Sequence, residues 1–190
     1  MFRSLAKALP FLLVVTLALP GLIGCAGEQD DHDAKIQALA QELSSQLRTL
    51  SKLLEEPLAE NNPRAAEKVL AAFFLKASQA GKPLINGVSL LDANGVTFAE
   101  RNPAPGHPEG VYARHAARDY SSYKIISKCL EKGRTDVGVV YLNQDKLYVV
   151  CHPIGANKPI GVLVLGILGS YLEAKIGISG QEFLEMKISP

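Results

Sequence analysis

The sequence predicts an α+β domain in which helices lead into a five-stranded antiparallel sheet. Three observations carry that prediction. Residues 136–168 hold three β-branched, aromatic and aliphatic runs (DVGVVYLN, KLYVVCHPIG and PIGVLVLGIL) separated by turn-length polar breaks, the pattern of a meander. Residues 84–91 and 96–100 flank Asp92-Ala93-Asn94-Gly95, whose Asn-Gly pair suits the positive φ of a tight turn and so adds a hairpin. Upstream of both, apolar residues recur at helical spacing.

In chain order, residues 1–24 read as an export signal. Arg3 and Lys7 make a positive start, residues 11–19 an apolar core, and a small-residue site follows. Leu22-Ile23-Gly24-Cys25 resembles the lipobox of bacterial lipoproteins, which implies that Cys25 becomes the acylated first residue of the mature chain. Several acyl chains together make membrane residence stable. The resemblance places the working domain in the cell envelope, facing the periplasm. Ala26 rather than Asp after the cysteine resembles outer-membrane cargo more than inner-membrane cargo. Residues 25–33 are short, polar and acidic and read as a lipidated tether, with a metal site from Asp30, Asp31, His32 and Asp33 as the sharper alternative.

In residues 34–54, Ile36, Ala40, Leu43, Leu47, Leu50 and Leu54 form one stripe of a helix roughly 30 Å long. The stripe packs on its own sheet, with a homodimer through the same helix as a possible addition. Pro57 and Asn61-Asn62-Pro63 break the rod, and Asn62 caps a second helix to about residue 80 that turns Ala66, Val69, Leu70, Phe73, Phe74 and Ala77 inward. Gly81 and Pro83 end it. After the first hairpin, residues 101–118 hold Pro103, Pro105, Gly106, Pro108 and Gly110 and read as a long loop whose first half excludes regular structure. Its second half carries Tyr112, Arg114, His115 and Arg118. Asp119 or Ser121 then caps a helix over residues 122–132, with Tyr123, Ile126, Cys129 and Leu130 inward and Gly133 closing it.

With a turn at Gln144-Asp145, Tyr141 pairs with Tyr148, Val139 with Val150 and Val137 with His152. Strand alternation then groups Tyr141, Tyr148 and His152 on one face, which reads as the pocket, and Val140, Leu142, Val149 and Cys151 on the other, which reads as plain core. Residues 170–190 offer a short helix (YLEAKI) and a final strand (EFLEMKIS).

Leu90-Leu91-Asp92-Ala93-Asn94-Gly95, Asp119-Tyr120-Ser121-Ser122-Tyr123, Leu130-Glu131-Lys132-Gly133, Cys151-His152-Pro153-Ile154 and Gly161-Val162-Leu163-Val164-Leu165-Gly166 follow one another in this order. In that order and spacing the chain resembles a Cache domain, a PAS-like extracytoplasmic sensor module, over residues 34–169. The resemblance implies a pocket between the sheet and the segment of loop and helix, taking a small carboxylate, amino acid or amine. Carried onto this chain, it implicates Tyr112, Arg114, Arg118, Tyr120 and Tyr123 with Tyr141, Tyr148 and His152; Arg114 and Arg118 are the anion candidates, since a guanidinium clamps a carboxylate. Receptors of this family continue into a transmembrane helix and an output region, which this sequence does not offer. It is therefore expected to bind or deliver its ligand, or to dock on a receptor or transporter.

Other chemistries have less to stand on. Twenty Lys and Arg against nineteen Asp and Glu leave no basic field for nucleic acid. Cys129 and Cys151 are a possible disulfide of an oxidising compartment. A nucleophilic Cys151 served by His152 or His115 is the enzyme alternative, weakened because neighbours on a strand face opposite ways. No cofactor motif is present. An envelope lipoprotein with a PAS-like core and a structural or docking role is the remaining alternative.

Overall fold

The structure, a computed structural model, describes residues 24–80, 85–104, 106–112, 118–142 and 145–190. The leader over residues 1–23, the helix end at Gly81 and Pro83, and Arg114 and His115 lie outside the described residues.

Helix α1 (Gly24–Ala59) extends beyond the stripe at both ends. It absorbs the stretch expected to be a tether, and it runs through Pro57. A proline three residues from the end of the helix removes a single backbone bond there, so the break falls instead at Asn61, whose φ is 53°. Leu39, Leu43, Leu47, Leu50 and Leu54 are buried against the chain's own sheet, which takes up the apolar stripe internally. Helix α2 (Pro63–Gln79) starts as the sequence predicts: Asn62 Oδ1 accepts from the Ala65 amide at 3.1 Å, and Pro63 takes the first helical position.

Among the described residues six strands follow instead of five. They are β1 (Gly87–Asp92), β2 (Thr97–Ala104), β3 (His107–Tyr112), β4 (Asp136–Leu142), β5 (Asp145–Ile154) and β6 (Gly161–Leu168), in the antiparallel order β3-β2-β1-β6-β5-β4. The additional strand is the first half of the expected loop. Pro108 is tolerated because β3 is the outer edge of the sheet, and Pro103 falls in β2 at the register shift between Asn102 and Ala104, beyond the last pairing with β1 at Arg101. Gly106 turns the corner at φ 76°.

In the meander, Tyr141 pairs with Lys146 and Val139 with Tyr148, two residues away from the predicted register. An even shift leaves every side chain on its predicted face. The grouping of Tyr141, Tyr148 and His152 against Val140, Val149 and Cys151 therefore holds, but the roles of the two faces are exchanged. The Tyr148 face carries the main core under α1 and α2, with Val150, Ile154, Leu163, Leu165 and Ile167. The Cys151 face is covered by α3 (Lys124–Lys132) through Ile125, Ile126 and Cys129.

Residues 170–190 are part of the core rather than an appendage. After β6 come a short turn, α4 (Gly169–Tyr171), a π-helical turn (Leu172–Ile176) and helix α5 (Gly180–Glu185) in place of the expected strand. Ser179 and Glu182 form a reciprocal capping box, which commits the segment to helix. Phe183 is fully buried, its ring centroid 5.5 Å from that of Tyr148. His32 of α1 meets Glu182 of α5 at 2.6 Å, and the Ser189 amide donates to Ser44 Oγ at 3.2 Å. Asp31 pairs with Lys35 at 2.8 Å, so these members of the acidic cluster serve contacts on or beside helix α1.

Candidate functional site

On the α3 face the sheet is incompletely filled. Helix α3 packs over the Cys151 and Val162 end, and a cavity of about 330 Å³ remains beside it, bounded by Tyr123 and Ile126 of the α3 segment. Val140, Leu147, Val149, Val164, Leu168 and Leu91 make an apolar floor. Gly87 and Gly166 are paired across β1 and β6 in the middle of that floor. A side chain at either point would project into the cavity: a Cβ on Gly87 would come within 2.6 Å of Asn102 Oδ1, whereas one on Gly166 would make ordinary contact with Leu147 at 3.4 Å. The space exists because two consecutive cross-strand positions carry no side chain.

The polar groups are grouped on one side. Arg118 and Tyr120 reach the cavity from a segment fixed to the first hairpin: the Thr97 amide and hydroxyl both donate to the Arg118 carbonyl, at 2.9 and 3.1 Å, and the Tyr120 amide donates to the Gly95 carbonyl at 2.9 Å. Asp119 pairs with Val96 as an isolated bridge between them. The alternation of this extended segment sends Arg118 and Tyr120 the same way and Asp119 outward, where its carboxylate accepts from the Ser121 amide at 2.8 Å. Asp119 thus organises the turn before α3 instead of capping the helix, whose N-cap is Tyr123. The Tyr123 hydroxyl donates to the Tyr141 carbonyl at 3.2 Å and ties the mouth of the helix to β4.

The Tyr120 hydroxyl beside Arg118 reinforces the guanidinium's charge and pushes its pKa up, while burial pushes the Tyr120 hydroxyl up. The facing wall is β2. Glu100 and Asn102 line the cavity, and Glu100 is only 6% exposed. The wall is held from the opposite face by Glu67 of α2. Where β3 stops pairing, the Glu100 amide donates to Glu67 Oε1 at 3.2 Å, and Arg101 Nε donates to Oε2 at 3.1 Å. Arg101 also donates to the carbonyls of Glu109 and Gly110, which fastens β3 to the same clamp. Burial pushes the Glu67 carboxyl up, and the Glu100 amide and Arg101 oppose it.

Of the sequence-predicted residues, Arg118, Tyr120 and Tyr123 are brought together at the cavity. Tyr148, Tyr141 and His152 are not. Tyr148 is 1% exposed in the main core, because the leucine stripe of α1 and Phe183 of α5 cover its face. Tyr141 is 62% exposed at the edge strand β4. His152, half-buried, bonds Thr135 Oγ1 through Nδ1 at 2.7 Å, and burial lowers its pKa. Tyr112 ends β3, and its side chain, like the whole of Arg114, lies outside the described residues. Glu100, Asn102 and Ser89 were missed; their signal was the even spacing 100, 102 on β2 and the pairing of Glu100 with Ser89.

Cys129 and Cys151 are both free and fully buried, so the possible bridge is absent. Burial raises Cys129 to about 12 and Cys151 well above the usual thiol range. Neither presents a thiolate, and His152 lies on the far side of its strand from Cys151. With His152 as its base, the nucleophile reading has no geometry behind it; His115, the other candidate base, lies outside the described residues.

No protein-family model matches the chain, and no curated protein does. Solved structures do. A domain from Vibrio parahaemolyticus, described as that of a sensory box/GGDEF family protein, superposes with a TM-score of 0.57 at 16% identity, covering 83% of this chain and 65% of that one. The fold is that of Cache/PAS-like extracellular sensor domains. The extracellular domain of a protein described as a histidine kinase matches with a TM-score of 0.58 at 17% identity over 82% of this chain and 62% of that one. A methyl-accepting chemotaxis protein gives 0.57 at 14% identity, over 78% and 64%. The chain spans under two thirds of each of these structures. At such identities the likeness is one of fold, and the site has to be read from this chain's own residues.

Proposed function

We propose that the protein is an extracytoplasmic, sensor-type binding protein, held to the membrane through an acylated Cys25, that takes a small organic acid, amino acid or amine in the cavity beside α3. The observation that carries this reading is the arrangement at Arg118: a cation and Tyr120 fixed to the hairpin, with Tyr123 tied to β4, above an apolar floor opened by Gly87 and Gly166. Concave apolar sites with a few convergent polar groups are where small molecules bind. The outer membrane is the favoured anchor site, and a receptor or transporter is the partner to which the loaded domain docks.

Thermal unfolding against a panel of organic acids, amino acids and amines tests the binding. A true ligand at about 100 times its dissociation constant adds ~2.7 kcal/mol. A shift that disappears in Arg118→Gln supports the reading. No shift with any member of the panel refutes it and leaves a structural or docking role for the fold. For the anchor, metabolic labelling with a fatty acid should mark the wild type and not Cys25→Ser.

A further inference from the structure

The two edges of the sheet are finished differently. On β3, Pro108 withholds an amide, and Arg101 of β2 takes the Glu109 and Gly110 carbonyls at 3.0 and 2.8 Å. The other edge, β4, runs for seven residues (DVGVVYL) without a proline. Which of its groups face outward follows from the ladder. The Gly166 carbonyl accepts from the Asn86 amide at 2.7 Å, so the even-numbered residues of β6 bond towards β1 and its odd-numbered residues towards β5. Carried through the β5 pairings, this turns residues 136, 138, 140 and 142 of β4 towards β5, and Val137, Val139 and Tyr141 outward. Two of the outward groups are answered within the chain: the Val137 amide donates to Asp136 Oδ1 at 3.1 Å, and the Tyr141 carbonyl accepts from the Tyr123 hydroxyl at 3.2 Å. The Val137 carbonyl, both Val139 groups and the Tyr141 amide have no partner among the described residues.

Val137 and Val139 also wall a groove of about 220 Å³ whose opposite side is Lys124 and Lys128, one turn apart on α3. Among the described residues neither lysine has a carboxylate within 4.0 Å, and the acid in the same groove, Asp136, is turned to the Val137 amide. An open edge of this kind is a template for one more strand. We infer that β4 accepts an extended acidic segment of another protein as a further strand. The backbone of that segment pairs with Val137, Val139 and Tyr141. Its alternate carboxylates meet Lys124 and Lys128, and its intervening apolar side chains lie on the other face beside Val137, Val139 and the exposed ring of Tyr141. Charge selects this occupant over a second copy, because a copy paired antiparallel about Val139 would bring its own Lys124 and Lys128 to the same face. The groove is not the cavity, so the inference stands apart from the ligand reading.

Fluorescence anisotropy on the full chain in detergent tests it with three labelled heptapeptides: one alternating glutamate and valine, one alternating lysine and valine, and the first with its central valine replaced by proline. The acidic probe should bind, more weakly as salt rises, and the other two should not bind at the same concentrations. Lys124→Glu together with Lys128→Glu should transfer the preference to the basic probe. Val139→Pro removes an amide that the ladder does not use and should weaken the acidic probe by about tenfold or more. Hydrogen exchange needs no variant: the Val139 and Tyr141 amides should exchange faster than those of Gly138 and Val140 in the free protein, and slow when the acidic probe is added. Equal binding of the proline-broken probe would reduce the attraction to charge alone and overturn the proposal. Silence of the acidic probe would overturn it too, as would a dimer that Val139→Pro dissociates, which assigns the edge to a second copy. None of these outcomes bears on small-molecule binding in the cavity.

Discussion

Replacing Gly166 with leucine should separate binding from folding. Gly166 sits mid-strand in β6, opposite Gly87, with its side-chain direction open to the cavity. A Cβ there meets Leu147 Cδ2 at 3.4 Å and the Gly87 carbonyl at 3.7 Å, ordinary contacts that need no backbone movement. The rest of the leucine side chain extends into an apolar space of about 330 Å³. Two effects then favour the folded state: glycine in a strand costs about 0.5–1 kcal/mol of chain entropy, and filling an empty apolar site contributes about 0.5–2 kcal/mol. Some strain in the new rotamer offsets part of this, so the net expectation is a gain of about 1 kcal/mol, or a rise in melting temperature of about 2–4 °C for a chain of this size. The same side chain occupies the ligand's place. Differential scanning calorimetry with and without ligand should show a melting point equal to or above that of the wild type and no ligand-dependent shift. A fall of more than about 5 °C would mean that position 166 points into packed core and that the cavity has been assigned to the wrong face.

Three further outcomes follow from the same geometry. Tyr148→Ala should cost about 3–5 kcal/mol, as for a buried aromatic, while the folded variant binds ligand with wild-type affinity; weakened binding at unchanged stability would return Tyr148 to the site. Cys129 and Cys151 should resist maleimide in the native protein and react only after denaturation, because burial keeps both thiols protonated; rapid native labelling would contradict that packing. Glu182 is held at about 2 by Ser179 and His32, so its folded pKa lies below its unfolded one. The stability it contributes is full above the unfolded value near 4.5 and is lost as pH falls through about 2. Hydrogen exchange in α5 should therefore be slower in the wild type than in Glu182→Gln at pH 6, with the difference closing as pH falls from 4.5 towards 2; a difference independent of pH would show that the His32 and Ser179 contacts do not hold the segment.

Much of the fold was legible because it is written in periodicity. The leucine stripe of α1, the Asn62-Pro63 start of α2 and the three runs of the meander are local patterns with local causes. What escaped was set by position in the whole. Pro108 argues against a strand anywhere but on an edge and Pro103 anywhere but at an irregularity, and nothing local says that β3 is the edge or that the β2 register shifts at that point. The segment after Gly177 reads as alternating strand until Ser179 and Glu182 are recognised as a capping box. The meander register slipped by two because the turn precedes Asp145, which pairs with Leu142.

The site was half legible for a different reason. Arg118, Tyr120 and Tyr123, which line the cavity, were implicated through the resemblance to a Cache domain, with the guanidinium suited to an anion. Tyr148 and His152 were chosen for their polar tips, but a buried tyrosine packs well on glycine and phenylalanine neighbours, and Gly180 leaves room for its hydroxyl end. A cavity is a volume that no side chain fills, so its signature in a strand is missing bulk. Gly87 and Gly166 carried that signal, and once the β1–β6 pairing places them opposite each other the face of the sheet is determined.

A crystal structure of the protein purified from its own cells tests the cavity without any choice of probe. Density for one small molecule lying on the Gly87 and Gly166 backbones, with Arg118 against one end, is the result expected. A sheet face filled by the protein's own side chains, with Arg118 turned out to solvent, would contradict it.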